Sequence, residues 1–122
     1  MTVTDRKLEG RAALVTGAAQ GIGKAIAMKL ASEGASVLAN DLDADGLEEL
    51  KQEIAAAGGI CESLTGDVTA AEFGDEAVAK IVAEFGDLHI LVNNAGYIWN
   101  SRIINHSDEQ WYVAGFPAFP LL

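Results

Sequence analysis

Residues 12–23 run from a short apolar stretch through three closely spaced glycines into a helical pattern, and few folds accommodate that order. Ala12-Ala13-Leu14-Val15-Thr16 reads as a buried strand. Gly17, Gly21 and Gly23 follow at the spacing G-x-x-x-G-x-G. Ile22, Ala25, Ile26, Lys29 and Leu30 then recur at helical spacing, and Gly34 stops the helix. A strand that turns sharply into a helix leaves free N–H groups and the positive end of the helix dipole facing the turn. Gly17 permits the tight exit from the strand. Gly21 and Gly23 let backbone and helix approach a pyrophosphate closely. Glycines serving the turn alone would give the same composition. Their place, after the first strand and opening the first helix, is what favours a phosphate site.

The same alternation continues. Ser36-Val37-Leu38-Ala39-Asn40 reads as a second strand, closed by Asp41. Leu47, Leu50 and Ile54 share one face of a second helix, which Gly58-Gly59 ends. Ile60 to Leu64 supplies a third strand. Thr69 with Glu72 three residues on suggests a capping box. A third helix follows, with Phe73, Ala77, Val78, Ile81, Val82 and Phe85 along it, and Gly86 ends it. Leu88 to Asn93 is the fourth strand. The strands are continuous apolar runs rather than alternations, as in a parallel sheet covered on both faces. The expected fold is therefore α/β, one half of a doubly wound Rossmann-type sheet with about four strands in the order 3-2-1-4.

Asp41 ends the second strand. A carboxylate there accepts hydrogen bonds from an adenosine ribose and repels a 2′-phosphate. No Lys or Arg follows before Lys51, and positions 18–20 are Ala18, Ala19 and Gln20. The pattern favours NAD over NADP. The alternative is that Asp41 caps a turn before Asp43 and Asp45.

Composition narrows the partners. The 122 residues carry 18 acidic and 8 basic side chains, a formal net charge of −10. That surface repels nucleic acid and anionic lipid, so no nucleic acid or membrane partner is expected. A phosphate site must then rely on local N–H groups. The single cysteine, Cys61, forms no intrachain disulfide and is expected to be a buried, inert thiol. No signal peptide or transmembrane run is visible, which makes a cytoplasmic location the expectation.

Together, Thr16 to Gly23, the pair Asp67-Val68 and Asn93-Asn94-Ala95-Gly96 resemble the short-chain dehydrogenase/reductase family. The resemblance covers residues 8–111, and Tyr97-Ile98-Trp99 and 107–111 are similar to bacterial members described as 3-oxoacyl-carrier-protein reductases. It implies a cofactor site made of Gly17, Gln20, Gly21, Ile22, Gly23, Asp41, Asp67, Val68, Asn94, Ala95 and Gly96. Asp67-Val68 would contact the adenine ring, and the Asn-Asn-Ala-Gly segment would steady the sheet and pass the cofactor ribose.

The family's chemistry uses a Tyr with a Lys four residues later. The tyrosines here are Tyr97 and Tyr112, followed at that spacing by Ser101 and Phe116, and the last lysine is Lys80. His89 and His106 read as structural or solvent-facing. Past Trp111 the family pattern is lost: Ala118 stands where a polar residue is expected, and Pro117 and Pro120 forbid an uninterrupted helix. The expected organisation is a dinucleotide-binding domain over residues 1–110 and an apolar tail over 111–122, truncated before the catalytic Tyr and Lys. The functional expectation is an NAD-binding remnant of an oxidoreductase without turnover. The competing expectation is a non-catalytic interaction protein that self-associates through an exposed sheet edge; on either reading a homo-oligomer is expected, with Phe116, Phe119, Leu121 and Leu122 buried against a second copy or folded over the exposed sheet face.

Overall fold

In the computed structural model, residues 6–95 are described. They form β1 (Ala12–Val15), α1 (Gly21–Ser32), β2 (Ser36–Asp41), α2 (Ala44–Ala56), β3 (Ile60–Thr65), α3 (Phe73–Phe85) and β4 (Ile90–Val92) in strict alternation. All pairings are parallel, and the sheet order is β3-β2-β1-β4. This is the α/β architecture and strand order expected from the sequence.

Side-chain alternation along the strands builds two cores. Val15, Val37 and Ala39 point to one face, where they meet Ala27 and Ala31 of α1 and Leu47, Leu50 and Ile54 of α2. Ala12, Leu14 and Leu38 point to the other, where Phe73, Ala77 and Ile81 of α3 cover them. Leu14 pairs in register with Leu38 on one side and Leu91 on the other, so it is wholly enclosed. Burying one such side chain contributes about 1.5–3 kcal/mol. Cys61 lies in the first core, and burial pushes its thiol up to about 11, which keeps it protonated and unreactive at neutral pH.

Each helix stops where a glycine takes a left-handed conformation: Gly34 after α1, Gly58 after α2 and Gly86 after α3, at φ of 101°, 88° and 87°. Two expectations are corrected. β4 spans only Ile90–Val92, because the ladder position ahead of it is taken by a side chain: the Ala12 N–H donates to His89 Nδ1 at 3.0 Å. His89 is thus structural. The Thr69–Glu72 capping box does not form. α3 begins at Phe73, and the Thr69 hydroxyl donates instead to Asp67 Oδ1 at 2.7 Å. Among the described residues no helix is long and apolar enough to cross a membrane. The tail at 111–122 and His106 lie outside the described residues.

Candidate functional site

The carboxyl ends of all four strands converge on one cleft of about 440 Å³. In an open parallel sheet this is where the loops diverge and leave room for a ligand, between strands whose crossovers run to opposite faces. Here β1 leads to α1 on one face, and β4 stands beside it.

The first wall is the glycine turn. Gly17 and Gly21 have φ of 64° and 62°, a region that side chains rarely tolerate. Gly23 does not line the cleft. It packs behind it, so tightly that an added Cβ would fall inside the van der Waals radius of Gly17 O and 2.6 Å from Asn94 Nδ2. α1 then opens with Gln20 at its cap, no side chain closing it and no acid in its first turn. Its leading N–H groups and dipole face the cleft uncompensated, which is the electrostatic condition for holding a phosphate.

The turn is braced from β4. Thr16, fully buried, accepts hydrogen bonds at its Oγ1 from the N–H groups of Asn94 at 3.0 Å and Ala95 at 3.1 Å. Asn94 Nδ2 donates to Gly17 O at 3.1 Å. These bonds tie the end of β4 to the exit of β1 and hold the Asn94-Ala95 wall against the glycine turn.

The second wall is Asp41. Its Oδ2 accepts from the Ala19 N–H at 3.0 Å, and its Oδ1 from the Asp43 N–H at 3.1 Å. Asp41 thus stabilises the turn into α2, as the alternative reading expects, and it also lines the cleft. A carboxylate oxygen has more than one lone pair, so these bonds leave acceptor capacity.

The third wall is the loop after β3. Asp67 Oδ1 accepts from Thr69 Oγ1 and from the Thr69 N–H at 2.8 Å. The Thr69 hydroxyl, then its backbone N–H, hold the Asp67 carboxyl below its usual pKa. Val68 is buried beside it.

Of the residues expected from the sequence, Gly17, Gln20, Gly21, Ile22, Asp41, Asp67, Val68, Asn94 and Ala95 line this single cleft. Gly23 supports it from behind, and Gly96 lies outside the described residues. Sequence reasoning missed Asn40, Leu42 and Gly66 in the lining, and Thr16 as the brace. The signal for Asn40 was a polar residue closing an apolar strand. Among the lining residues there is no Lys or Arg. Among the described residues no cluster of side chains is suited to a metal ion.

Comparison with known proteins agrees with this geometry. The family described as short chain dehydrogenase matches residues 11–114. The chain is 42% identical over 104 residues to a 2,3-dihydro-2,3-dihydroxybenzoate dehydrogenase of Bacillus subtilis, covering 85% of this chain and 40% of that protein. It is 40% identical to a 3-oxoacyl-[acyl-carrier-protein] reductase of Escherichia coli, covering 84% and 41%. Among solved structures, a 3-oxoacyl (acyl-carrier-protein) reductase of Agrobacterium tumefaciens with NADP bound superimposes with a TM-score of 0.79 at 30% identity, over 97% of this chain and 46% of that one. A metagenomic short-chain oxidoreductase in complex with NADP gives 0.75 at 37%, over 88% and 49%. The chain spans about 40% of the length of the curated relatives it matches. On this match, with the parallel sheet and the glycine turn where they should be, the chain belongs to the short-chain dehydrogenase family.

Proposed function

We propose that this chain binds a nicotinamide dinucleotide in the cleft at the strand ends, taking NAD in preference to NADP. The carrying observation is the opening of α1, uncapped and free of acids, beside Gly17 and Gly21 at positive φ and with Gly23 packed too tightly behind it to bear a side chain. The pyrophosphate would sit at Gly17, Gln20, Gly21 and Ile22, with Gly23 keeping the helix close. Asp41 would take the adenosine ribose, Asp67 and Val68 the adenine, and Asn94, Ala95 and Gly96 the second ribose. When bound, such a cofactor accepts or donates hydride.

The preference for NAD rests on charge. Asp41 stands in the cleft and no cation lines it among the described residues, so a 2′-phosphate would meet a carboxylate without a balancing partner there. Two relatives were solved with NADP, which points the other way for those proteins. Titrating the 122-residue chain with NAD and NADP decides it: tighter NAD binding is expected, and equal affinities would overturn the preference.

The 122 residues contain no Tyr-x-x-x-Lys. Hydride transfer at a carbonyl needs a proton moved at oxygen, and a positioned acid contributes roughly 10²- to 10⁴-fold to rate. We therefore propose that this polypeptide by itself binds without turning over. NADH absorbance with a panel of ketones and secondary alcohols is the test. Turnover that disappears in Tyr97→Phe would sink it.

A second reading is favoured by the exposure of Val78 and Val82 on α3 and Leu91 on β4. Exposed apolar side chains beside a strand that forms the sheet edge among the described residues support self-association. Failure to bind either cofactor at millimolar concentration, with light scattering showing an oligomer, would favour an interaction role. A monomer at high micromolar concentration would remove it. The separation of a binding domain (1–110) from an apolar tail (111–122), and a cytoplasmic location, belong to the same proposal.

A further inference from the structure

We infer that Asn40 is a positioning residue for the adenosine end of this site: its side-chain amide sets where the loop after β3 holds Asp67 and Val68 relative to Asp41. The inference rests on the dinucleotide reading above.

Alternate residues of β2 face opposite layers. Val37 and Ala39 pack with α1 and α2, and Leu38 packs with α3. Asn40 falls in the column of Leu38 and is 1% exposed. An amide in an apolar column is costly unless it is hydrogen-bonded. Asn40 Nδ2 donates to Leu64 O at 2.9 Å and to Gly66 O at 3.1 Å. Both hydrogens of the amide are thus spent on carbonyls just ahead of Asp67. Its orientation is fixed, because the flipped amide would set Oδ1 against two carbonyl oxygens.

Among the described residues β3 is an edge strand, and its loop is held to the sheet from the β2 side. Two ties do this: the Gly66 N–H donates to Asp41 O at 3.0 Å, and Asn40 takes the carbonyls. The first also fixes Gly66 to the residue proposed to take the ribose. Asn40 Oδ1 is buried and accepts no hydrogen bond among the described residues. An amide with one group left unpaired is a poor choice for stability alone. What it supplies is direction, since the chain leaves the sheet at Gly66 and must deliver Asp67 to the cleft.

The test is a double-mutant cycle on the 122-residue chain, read by 5′-AMP affinity, with amide hydrogen exchange alongside. Asn40→Leu and Asp67→Ala should each weaken 5′-AMP by ~10-fold, and together by ~10- to 20-fold rather than ~100-fold, because the first acts through the second. Exchange at residues 66–69 should accelerate by ~10-fold in Asn40→Leu while β1 and α1 stay protected. If Asn40→Leu does not fold, Asn40→Ser, which keeps one donor, carries both readings. Additive losses, or unchanged 5′-AMP affinity, would overturn the inference. If the unsubstituted chain binds neither 5′-AMP nor NAD, the dinucleotide reading falls. The exchange arm then decides placement alone, and unchanged exchange at 66–69 in both variants would refute it.

Discussion

The N-terminal ends of α1 and α2 occupy equivalent places in consecutive strand–helix units, yet they are built in opposite ways. α2 closes its own N-terminus: Asp43 caps it by accepting from the Gly46 N–H at 3.0 Å, and Asp45 adds a charge in the first turn. α1 has neither, and its turn is made of glycines. The two helix ends touch, since a Cβ on Gly46 would come within 2.9 Å of the Ala19 Cβ. Capping is worth about 0.5–2 kcal/mol to a helix. α1 forgoes that contribution at the end that opens on the cleft, and α2 keeps it at an end that does not line the cleft beyond Leu42. A helix end without its own cap is free to bind an anion from outside, and the contrast makes that difference local and testable.

The largest effect is expected at Gly23. In Gly23→Ala the new methyl meets the Gly17 carbonyl and the Asn94 amide, both held by the Thr16 brace. Relief requires moving backbone, so stability should fall by more than about 2 kcal/mol. NAD affinity should fall by about 100-fold or more, the equivalent of two factors of ten at 1.4 kcal/mol each. Thermal melts and calorimetric titration measure both. A variant that binds normally would show that α1's close approach is not what makes the site.

Asp41 joins the two helix ends, accepting from Ala19 ahead of α1 and from Asp43 ahead of α2. Asp41→Ala should narrow the preference for NAD over NADP by roughly 1–3 kcal/mol, the scale of a lost charged hydrogen bond. The comparison requires Kd for both cofactors in both proteins. An unchanged ratio would mean the carboxylate serves only the turns.

Much of this contrast was legible in the sequence, and the reasons for the remainder are physical. Gly17, Gly21 and Gly23 announced the turn into α1 because positive φ and close approach demand glycine. Leu14, Leu38, Leu50 and Ile81 announced the core by their spacing. Thr69 and Glu72 misled, because a Thr placed to cap a helix can instead donate to a neighbouring carboxylate, and only the backbone path decides which. Thr16 and Asn94 sit 78 residues apart, and their hydrogen bond depends on parallel pairing of β1 with β4. His89 taking the place of a ladder carbonyl is likewise a tertiary event that propensity does not encode.

A smaller effect should come from the other side of the comparison. Asp43→Ala removes the α2 cap and should cost about 1 kcal/mol of stability, within the usual range for a lost cap. NAD affinity should stay within about twofold, the scale of a few tenths of a kcal/mol. Equal loss of binding and stability would mean the two helix ends are not independent, and the contrast between a self-closed and a ligand-closed helix would fail.

The smallest effect tests the third helix, where Asp67 is engaged before α3 begins. Its carboxyl is held below the usual pKa by the Thr69 hydroxyl and then the Thr69 N–H. A depressed carboxyl stabilises the fold above its unfolded pKa, and that contribution is lost as pH falls through the folded pKa. Thr69→Val keeps the backbone donor and removes the hydroxyl, so it should cost roughly 0.5–1 kcal/mol at neutral pH. Because Asp67 is only partly buried, solvent screening should place the cost toward the lower bound. The difference between the two proteins should shrink toward zero in acid, once Asp67 is protonated in both and the charge-assisted part of the bond is gone. Denaturant melts across an acid series read this directly. A gap that persists unchanged into strong acid would assign the Thr69 contribution to packing rather than to the carboxylate, and would leave α1 as the one of the three described helices whose N-terminal electrostatics are set for a ligand.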